Sequence, residues 1–186
     1  MAIGAAEPTP GDYNARSTDA VKSVIIEIAQ TLGSFQGKFA IVGGAVPWLL
    51  LNNKDMPHVG TLDIDLGLDH EALGDGEYAT LVGALQAQGY AQSAELRRFQ
   101  LERVVNPSDA GPPIRVVVDF LMPRDAAPEK NDQPLVDDFA VMKASGGDLP
   151  LLFNELIEIG GVMLLEQSLK ILSVLSRVHA TLAAAI

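Results

Sequence analysis

Several residue types are scarce or missing in this chain, and each scarcity excludes a class of site. The 186 residues contain no cysteine, which excludes disulfides, thiolate catalysis and cysteine-ligated zinc or iron–sulfur centres. Basic residues are few, 13 against 24 acidic ones, for a formal net charge of −11. Such a chain is not steered towards nucleic acid or an anionic membrane by long-range electrostatics. Any polyanion that it handles must therefore meet locally placed cationic side chains or metal ions.

Long apolar runs are also missing. The longest, Ile41 to Leu51, is interrupted by Gly43, Gly44 and Pro47, and it is shorter than the roughly 20 residues of a membrane-spanning helix. The beginning of the chain has neither the basic nor the apolar region of a signal peptide. We therefore expect a soluble cytoplasmic protein that makes no membrane contact.

What is present suffices for one folded domain. Apolar residues make up 48% of the chain and charged residues 20%, a composition typical of a globular protein. A length of 186 residues fits a single domain. We predict a loose tail over residues 1–17, which are rich in Ala, Pro, Gly and Thr, and one domain over residues 18–186.

The apolar periodicity predicts an α/β (α+β) chain with a mixed β-sheet and flanking helices. Helical spacing predicts helices from Asp19 to about Gly33, from Ala45 to Leu51, from Glu77 to Gln88 and over about 162–186. The strand-like runs are 38–42, 61–69, 96–105, 114–122 and 156–159, the last as an edge strand. The turn-rich segment 106–113 predicts an antiparallel hairpin between the third and fourth runs. Residues 135–155 carry no clear pattern.

Two carboxylates share one face of the strand predicted over 61–69. Because side chains alternate between the faces of a strand, Asp63 and Asp65 lie on the same side, a few ångströms apart. Like charges that close raise a pKa or bind a metal ion. The alternative is that this acidic face simply points into water, as charged faces of edge strands do.

A third carboxylate, Asp119, lies in the middle of a strand whose apolar composition predicts burial on both faces. Three carboxylates converging from neighbouring strands match the oxygen ligands that Mg²⁺ or Mn²⁺ prefers. Two such ions can clamp the attacking and leaving oxygens of an in-line phosphoryl displacement. In this interpretation Asp63 and Asp65 hold the metal ions, while Asp119 binds one of them and orients or deprotonates an acceptor hydroxyl.

A glycine pair follows the first predicted strand and precedes a helix. Gly43 and Gly44 carry no side chains, so backbone N–H groups at the helix start can approach a triphosphate closely. A simple tight turn is the alternative interpretation.

These segments together resemble a known superfamily. Ile41–Trp48 with its Gly-Gly pair, His58–Leu66 with its Asp-x-Asp motif and Val117–Leu121 with the third aspartate resemble the nucleotidyltransferases that include DNA polymerase beta. More narrowly, they resemble the AbiEii-type abortive-infection and toxin group. The resemblance covers roughly residues 38–122.

The resemblance implies a fold, a reaction and a set of residues. The implied fold is the nucleotidyltransferase fold, and the implied reaction transfers a nucleoside monophosphate from ATP or another NTP to a hydroxyl of a tRNA end or a protein, with Mg²⁺ or Mn²⁺ as cofactor. A toxin of this kind would have a cognate antitoxin, while the acidic surface disfavours extended DNA contact. The implied catalytic residues and metal ligands are Asp63, Asp65 and Asp119, and the implied nucleotide-binding residues are Gly43, Gly44, Thr61 and Lys170.

Alternatives remain open. AbiEii-type proteins carry a Lys-Asp pair shortly beyond the arginine that Arg177 resembles, and residues 178–186 contain neither residue. A catalytically silent nucleotide-binding or interaction protein on the same fold is therefore the second hypothesis. A sugar-nucleotide transferase using Asp-x-Asp with Mn²⁺ is weaker, because nothing resembling its sugar-nucleotide domain precedes the motif. A calcium loop is contradicted by Gly74 at the twelfth position from Asp63.

Basic side chains near the hairpin are candidate contacts for a triphosphate or an RNA acceptor. They are Arg97, Arg98, Arg103 and Arg115, and the alternative for each is pairing with a neighbouring acid. The alternative for Lys170 is an i,i+4 ion pair with Glu166 on an exposed helix face.

Overall fold

The computed structural model describes residues 11, 13–51, 59–74, 76–126, 141–165 and 168–180, with the backbone alone at 51, 161–165 and 168–180. Within these ranges the helices are α1 (Ala15–Thr31), α2 (Val46–Leu51), α3 (Glu77–Ala87) and α4 (Leu149–Leu152). The strands are β1 (Phe39–Val42), β2 (Asp63–Leu68), β3 (Gln100–Val105), β4 (Ile114–Pro123), β5 (Met142–Ala144), β6 (Glu155–Leu165) and β7 (Ser168–Ala180). The chain is thus mixed α/β, as predicted.

The strands form one sheet of mixed orientation. Its order is β3-β4-β2-β1-β7-β6, and β5 pairs with β4 outside this path. The β2–β4, β1–β7 and β4–β5 pairs are parallel, whereas the β1–β2, β3–β4 and β6–β7 pairs are antiparallel. The centre of the sheet, β1, β2 and β4, therefore brings together strands that are far apart in the sequence.

The hydrophobic core lies between one face of the sheet and helices α1 and α3. The inward residues of β2 follow a two-residue period, and Ile64, Leu66 and Leu68 are fully buried. On α3, Tyr78 meets Phe120 of β4 edge to face, with the ring centroids 6.4 Å apart. Since these strands bury one face against helices, their polar residues lie together on the opposite face.

Helix α1 begins earlier than the sequence pattern predicted. Its N-cap is Asn14, whose side chain accepts hydrogen bonds from the backbone N–H groups of Arg16 and Ser17, while the Ser17 hydroxyl accepts from the Asn14 N–H. This reciprocal capping box stabilises a start at Ala15 rather than at Asp19. Residues 15–17 therefore belong to the helix, and 1–10 and 12 of the predicted tail lie outside the described residues.

The predicted hairpin and the late edge strand are confirmed. Strands β3 and β4 pair in antiparallel register from Val105 opposite Ile114 to Gln100 opposite Asp119. Strand β6 ends the order of the described sheet and pairs with β7. The prediction that β4 is buried on both faces is wrong: its residues alternate between buried and more exposed, because the described helices pack on the face that carries Val116, Val118 and Phe120.

The prediction of a final helix over about 162–186 is wrong for the described part of that segment. Residues 155–165 and 168–180 instead form two paired strands, with a register irregularity between Val162 and Met163. The described part of the predicted helix contains the β-branched residues Val162, Ile171, Val174 and Val178, which lower helix propensity and suit a strand. The leucine spacing of the segment fits a helix, but the segment is held as strands because β7 pairs with β6 and with β1.

None of the helices in the described ranges is both long enough and apolar enough to cross a membrane.

Candidate active site

The three predicted aspartates lie on one face at the centre of the sheet. In the parallel β2–β4 pair, Asp65 is directly opposite Asp119 and Asp63 is opposite Val117. Opposite residues on neighbouring strands share a face, and such strands are about 4.8 Å apart. Asp63 and Asp65 are two positions apart and so share the same face. The sheet therefore gathers all three carboxylates from segments more than fifty residues apart in the sequence.

The electrostatics of this cluster are unfavourable without a cation. Burial, then the charge of Asp119, then the charge of Asp63 raise the pKa of Asp65 from 3.8 to about 6. Partial desolvation by the surrounding chain raises the pKa of Asp63 as well, although Asp63 is the most exposed of the three aspartates. For Asp119, burial raises the pKa, the Gln100 hydrogen bond lowers it, Asp63 raises it and Arg97 lowers it, with a net rise. Solvent-facing carboxylates on an ordinary charged strand would keep pKa values near their usual range.

Protonation of Asp65 therefore favours the folded chain. Between pH 3.8 and about 6 the folded state binds more protons at this residue than the unfolded state does. The free energy of unfolding consequently falls as the pH rises through this window. At neutral pH the ionised Asp65 is a destabilising group that a bound cation would neutralise.

The glycine pair closes one side of the carboxylate cluster. Gly43 has a φ of +73°, a backbone conformation that favours glycine. A Cβ on Gly43 would overlap Oδ2 of Asp65 and lie 2.8 Å from its Cγ. A Cβ on Gly44 would lie 3.2 Å from Cβ of Thr61. Both glycines are exposed, so their backbone can be reached by a ligand while it packs against Asp65 and Thr61.

Thr61 shapes the start of β2. Its hydroxyl oxygen accepts a 3.0 Å hydrogen bond from the backbone N–H of Asp63. The same side chain packs against Gly44, so it links the glycine turn to the first aspartate. The structure therefore places Gly43, Gly44 and Thr61 beside the aspartates.

A glutamine that the sequence patterns had not singled out is bound to the third carboxylate. Gln100 lies directly opposite Asp119 in the β3–β4 pair, and its Nε2 donates a 2.8 Å hydrogen bond to Oδ1 of Asp119. Its Oε1 accepts a 2.9 Å hydrogen bond from the backbone N–H of Arg97. The register of the hairpin would have revealed this contact, but an eight-residue loop does not specify register from sequence.

The candidate basic residues separate into two kinds. Arg103 is 3% exposed and forms a two-pronged ion pair with Glu27 of α1 at 2.9 and 2.8 Å, and its guanidinium lies 5.5 Å from the centre of the Tyr90 ring. It is a core residue and cannot contact substrate.

Arg115 and Arg97 are on the accessible side. Arg115 pairs with Glu95 at 2.9 Å and Glu102 at 3.1 Å, as the alternative predicted. Arg97 is exposed and acts electrostatically on Asp119.

The remaining predicted binding residue, Lys170, lies in β7 opposite Met163. Lys170 lies ten residues before Ala180, the residue of β7 that pairs with Ile41 of β1. At about 3.3 Å per residue this is some 33 Å of extended strand, so the backbone of Lys170 is not gathered with the aspartates. His58 lies outside the described residues.

The acidic side chains do not form a complete metal site by themselves. Across the described parts of the chain, no three His, Cys, Asp or Glu side chains form a group that would hold a metal ion by themselves. In the register described above, Oδ1 of Asp119 is already bound to Gln100. Magnesium, however, is commonly held by one or two carboxylates together with substrate phosphates and water. The hard oxygen donors and the raised carboxylate pKa values fit a cation bound in that way.

Comparison with known proteins gives no relative: no family model matches the chain, and neither curated proteins nor solved structures include a match.

Proposed function

We propose that this chain is a nucleotidyltransferase that uses Mg²⁺ or Mn²⁺ to transfer a nucleoside monophosphate from an NTP to an acceptor hydroxyl. The single observation that supports it most is the register that sets Asp65 beside Asp119, with Gly43 in contact with Asp65. Acidic side chains and a side-chain-free turn are thereby adjacent, which is the combination that a cation-bound triphosphate needs.

In this proposal the aspartates divide two tasks. Asp63 and Asp65 would hold the cation, which supplies charge neutralisation of the phosphates when bound. Asp119 would bind the cation through one oxygen and would also accept the proton of the acceptor hydroxyl, or orient that hydroxyl for in-line attack. The hydrogen bond from Gln100 and the charge of Arg97 both lower the pKa of Asp119 against the effect of burial, and so favour the ionised form that this task requires.

The glycine turn would receive the phosphates. The exposed backbone at Gly43 and Gly44 leaves room for an anion next to the aspartates, and Thr61 fixes the turn against β2. Arg97, which precedes β3, is an exposed cationic side chain that acts on Asp119. We assign it the role of a phosphate contact for the nucleotide or for an RNA acceptor.

A second candidate function is a nucleotide-binding or interaction protein without turnover. The observation that favours it is the position of Lys170, which lies on β7 and away from the aspartates. Loss of a cationic group that balances the leaving pyrophosphate would lower the rate of transfer more than it weakens nucleotide binding.

A labelling experiment separates the two functions. The full chain is incubated with Mg²⁺ or Mn²⁺, each α-labelled NTP in turn, total bacterial tRNA and cell extract. The test variant is the double substitution Asp63→Asn, Asp65→Asn.

The matched control is Asp69→Asn, which alters the acid that directly follows the same strand. Oδ1 of Asp69 accepts from the N–H groups of Glu71 and Ala72 at 2.9 and 3.0 Å, and an asparagine oxygen can accept both bonds.

The expected result is label on RNA or protein with the unmutated chain and with Asp69→Asn, and none with the double variant. Binding of cation and NTP without transfer by the unmutated chain would select the second function. Absence of both binding and transfer would contradict both proposals.

A further inference from the structure

The side chain of Gln100 is fixed at both ends by different partners. Its oxygen accepts from the Arg97 backbone N–H, and its nitrogen donates to Oδ1 of Asp119. The backbone N–H of Gln100 also donates to the carbonyl of Arg97 at 3.0 Å. The amide thus spans the short distance from the turn at Arg97 to the carboxylate.

Only one orientation of this amide satisfies both contacts. Rotation by 180° would place the amide oxygen against a carboxylate and the amide nitrogen against an N–H donor. A glutamate could accept from the Arg97 N–H but could not donate to Asp119 when ionised. The position therefore calls for a side chain with a donor and an acceptor at its tip.

Strand β3 offers this side chain from a rigid support. Residues alternate along the strand, so Gln100 faces the aspartates while Leu101 and Arg103 face the core. Arg103 is tied to Glu27 of α1 by two buried hydrogen bonds. A group that orients another residue is effective only if its own position is fixed.

We propose that Gln100 is a positioning residue that holds Oδ1 of Asp119 and so presents the second oxygen of this carboxylate to the cation. The inference rests on the proposed function, because it concerns how the third carboxylate is presented. Groups that hydrogen-bond a ligating carboxylate typically contribute about 10- to 100-fold to metal affinity or activity.

The test substitutes Gln100→Met, which keeps the length of the side chain and removes both hydrogen bonds. The control Gln88→Met makes the same change at an exposed glutamine that follows α3. Mn²⁺ affinity is measured by electron paramagnetic resonance titration for the unmutated chain, both glutamine variants, Asp65→Asn, Asp119→Asn and the double variant Gln100→Met, Asp119→Asn. Thermal unfolding is recorded for each, and the titrations are made well below the lowest Tm.

The expected result is a loss of about 10- to 100-fold in Mn²⁺ affinity for Gln100→Met and no loss for Gln88→Met. Because Gln100 acts through Asp119, its substitution should change Mn²⁺ affinity by less than about twofold when Asp119 is already asparagine. Effects of independent substitutions usually add to within about this factor, so a smaller change counts as none. A merely structural role would lower Tm and leave the affinity of the folded chain unchanged.

The outcomes separate this proposal from the proposed function. If the unmutated chain binds Mn²⁺, Asp65→Asn abolishes binding and Gln100→Met binds normally, then the positioning role is wrong while the cation site stands. Equal losses with and without Asp119 would overturn the positioning role as well. If the unmutated chain does not bind Mn²⁺, both proposals are wrong.

Discussion

Gly43 offers the sharpest test of the site, because a single methyl group should separate folding from binding there. The substitution is Gly43→Ala. In the structure the added Cβ would overlap Oδ2 of Asp65 and approach its Cγ and Cβ to 2.8 and 3.3 Å. Gly43 also has a φ of +73°, which alanine adopts at a cost.

The substitution has two effects: backbone strain lowers Tm, and the overlap with Asp65 lowers cation affinity. The positive φ costs about 1–2 kcal/mol for a residue with a Cβ, which lowers Tm by roughly 2–8 °C for a chain of this size. The overlap with Asp65 is relieved if the carboxylate moves, since Oδ2 is the end of a side chain. That movement costs little stability but displaces a proposed ligand, so we expect cation affinity to fall about 10-fold or more.

Gly37→Ala is the matched control. Gly37 has a φ of +83°, and a Cβ there would meet nothing within 4 Å. It therefore carries the same backbone strain without touching the site. Thermal unfolding and Mn²⁺ titration are compared for the two variants, and the pair should show similar losses of Tm and very different losses of affinity.

A result in which Gly43→Ala and Gly37→Ala bind Mn²⁺ equally would refute the reasoning. It would mean either that Asp65 is not a ligand or that the turn does not constrain it. A similar loss of Mn²⁺ affinity in both variants would show that backbone strain alone disturbs the site. The contact with Asp65 would then not be the cause of the loss in Gly43→Ala.

Four further predictions concern charge. Asp65→Asn should unfold at a higher temperature than the unmutated chain at pH 7.5, because a pKa raised from 3.8 to about 6 corresponds to at most roughly 3 kcal/mol of destabilisation. The difference in Tm should vanish near pH 4. Equal Tm values at pH 7.5 would contradict the prediction. Mg²⁺ should raise the Tm of the unmutated chain at pH 7.5 more than at pH 5, where Asp65 is largely protonated; a shift independent of pH would exclude Asp65 as a ligand. Glu27→Gln should lower the free energy of unfolding in urea by about 3–5 kcal/mol, because it leaves Arg103 buried without its counter-charge; a loss below about 1 kcal/mol would show that water reaches the pair. Arg97→Gln should weaken NTP binding with little change in Tm, since Arg97 is exposed, and unchanged NTP affinity would remove it from the phosphate contacts.

Much of the fold was predictable because local patterns and tertiary packing agree there. The two-residue period of β2 survives in the structure with Ile64, Leu66 and Leu68 buried. The chain after residue 155 behaved differently, since leucines at helical spacing lie in paired strands. Periodicity alone does not separate a buried helix from a buried strand, and the choice depends on partners that are distant in the sequence. The strand at Met142–Ala144 and the single helical turn at Leu149–Leu152 are too short to show any period.

The site was predictable to the extent that it depends on strand alternation. Asp63 and Asp65 must share a face whatever the sheet order, and Gly43 must lie at the end of β1. The position of Asp119 opposite Asp65 depends on which strands pair, and that of Gln100 depends on hairpin register. An amide also leaves no charge signal in the sequence, so its role emerged only from the two hydrogen bonds.

The alternative to a cation site is an acidic strand face that simply points into water. The exposure and pKa values that this alternative predicts differ from those of the three aspartates in the structure. Solvated carboxylates are exposed and keep ordinary pKa values, and of the three only Asp63 is exposed. Asp65 is partly buried beside Asp119, and its pKa is raised by burial first and by both neighbouring aspartates after that. Surface acids that merely increase solubility need no such proximity, and they do not need a left-handed glycine packed against one carboxylate oxygen. The arrangement costs stability in the absence of a cation, so a positive partner at this face is the simplest physical reason for it.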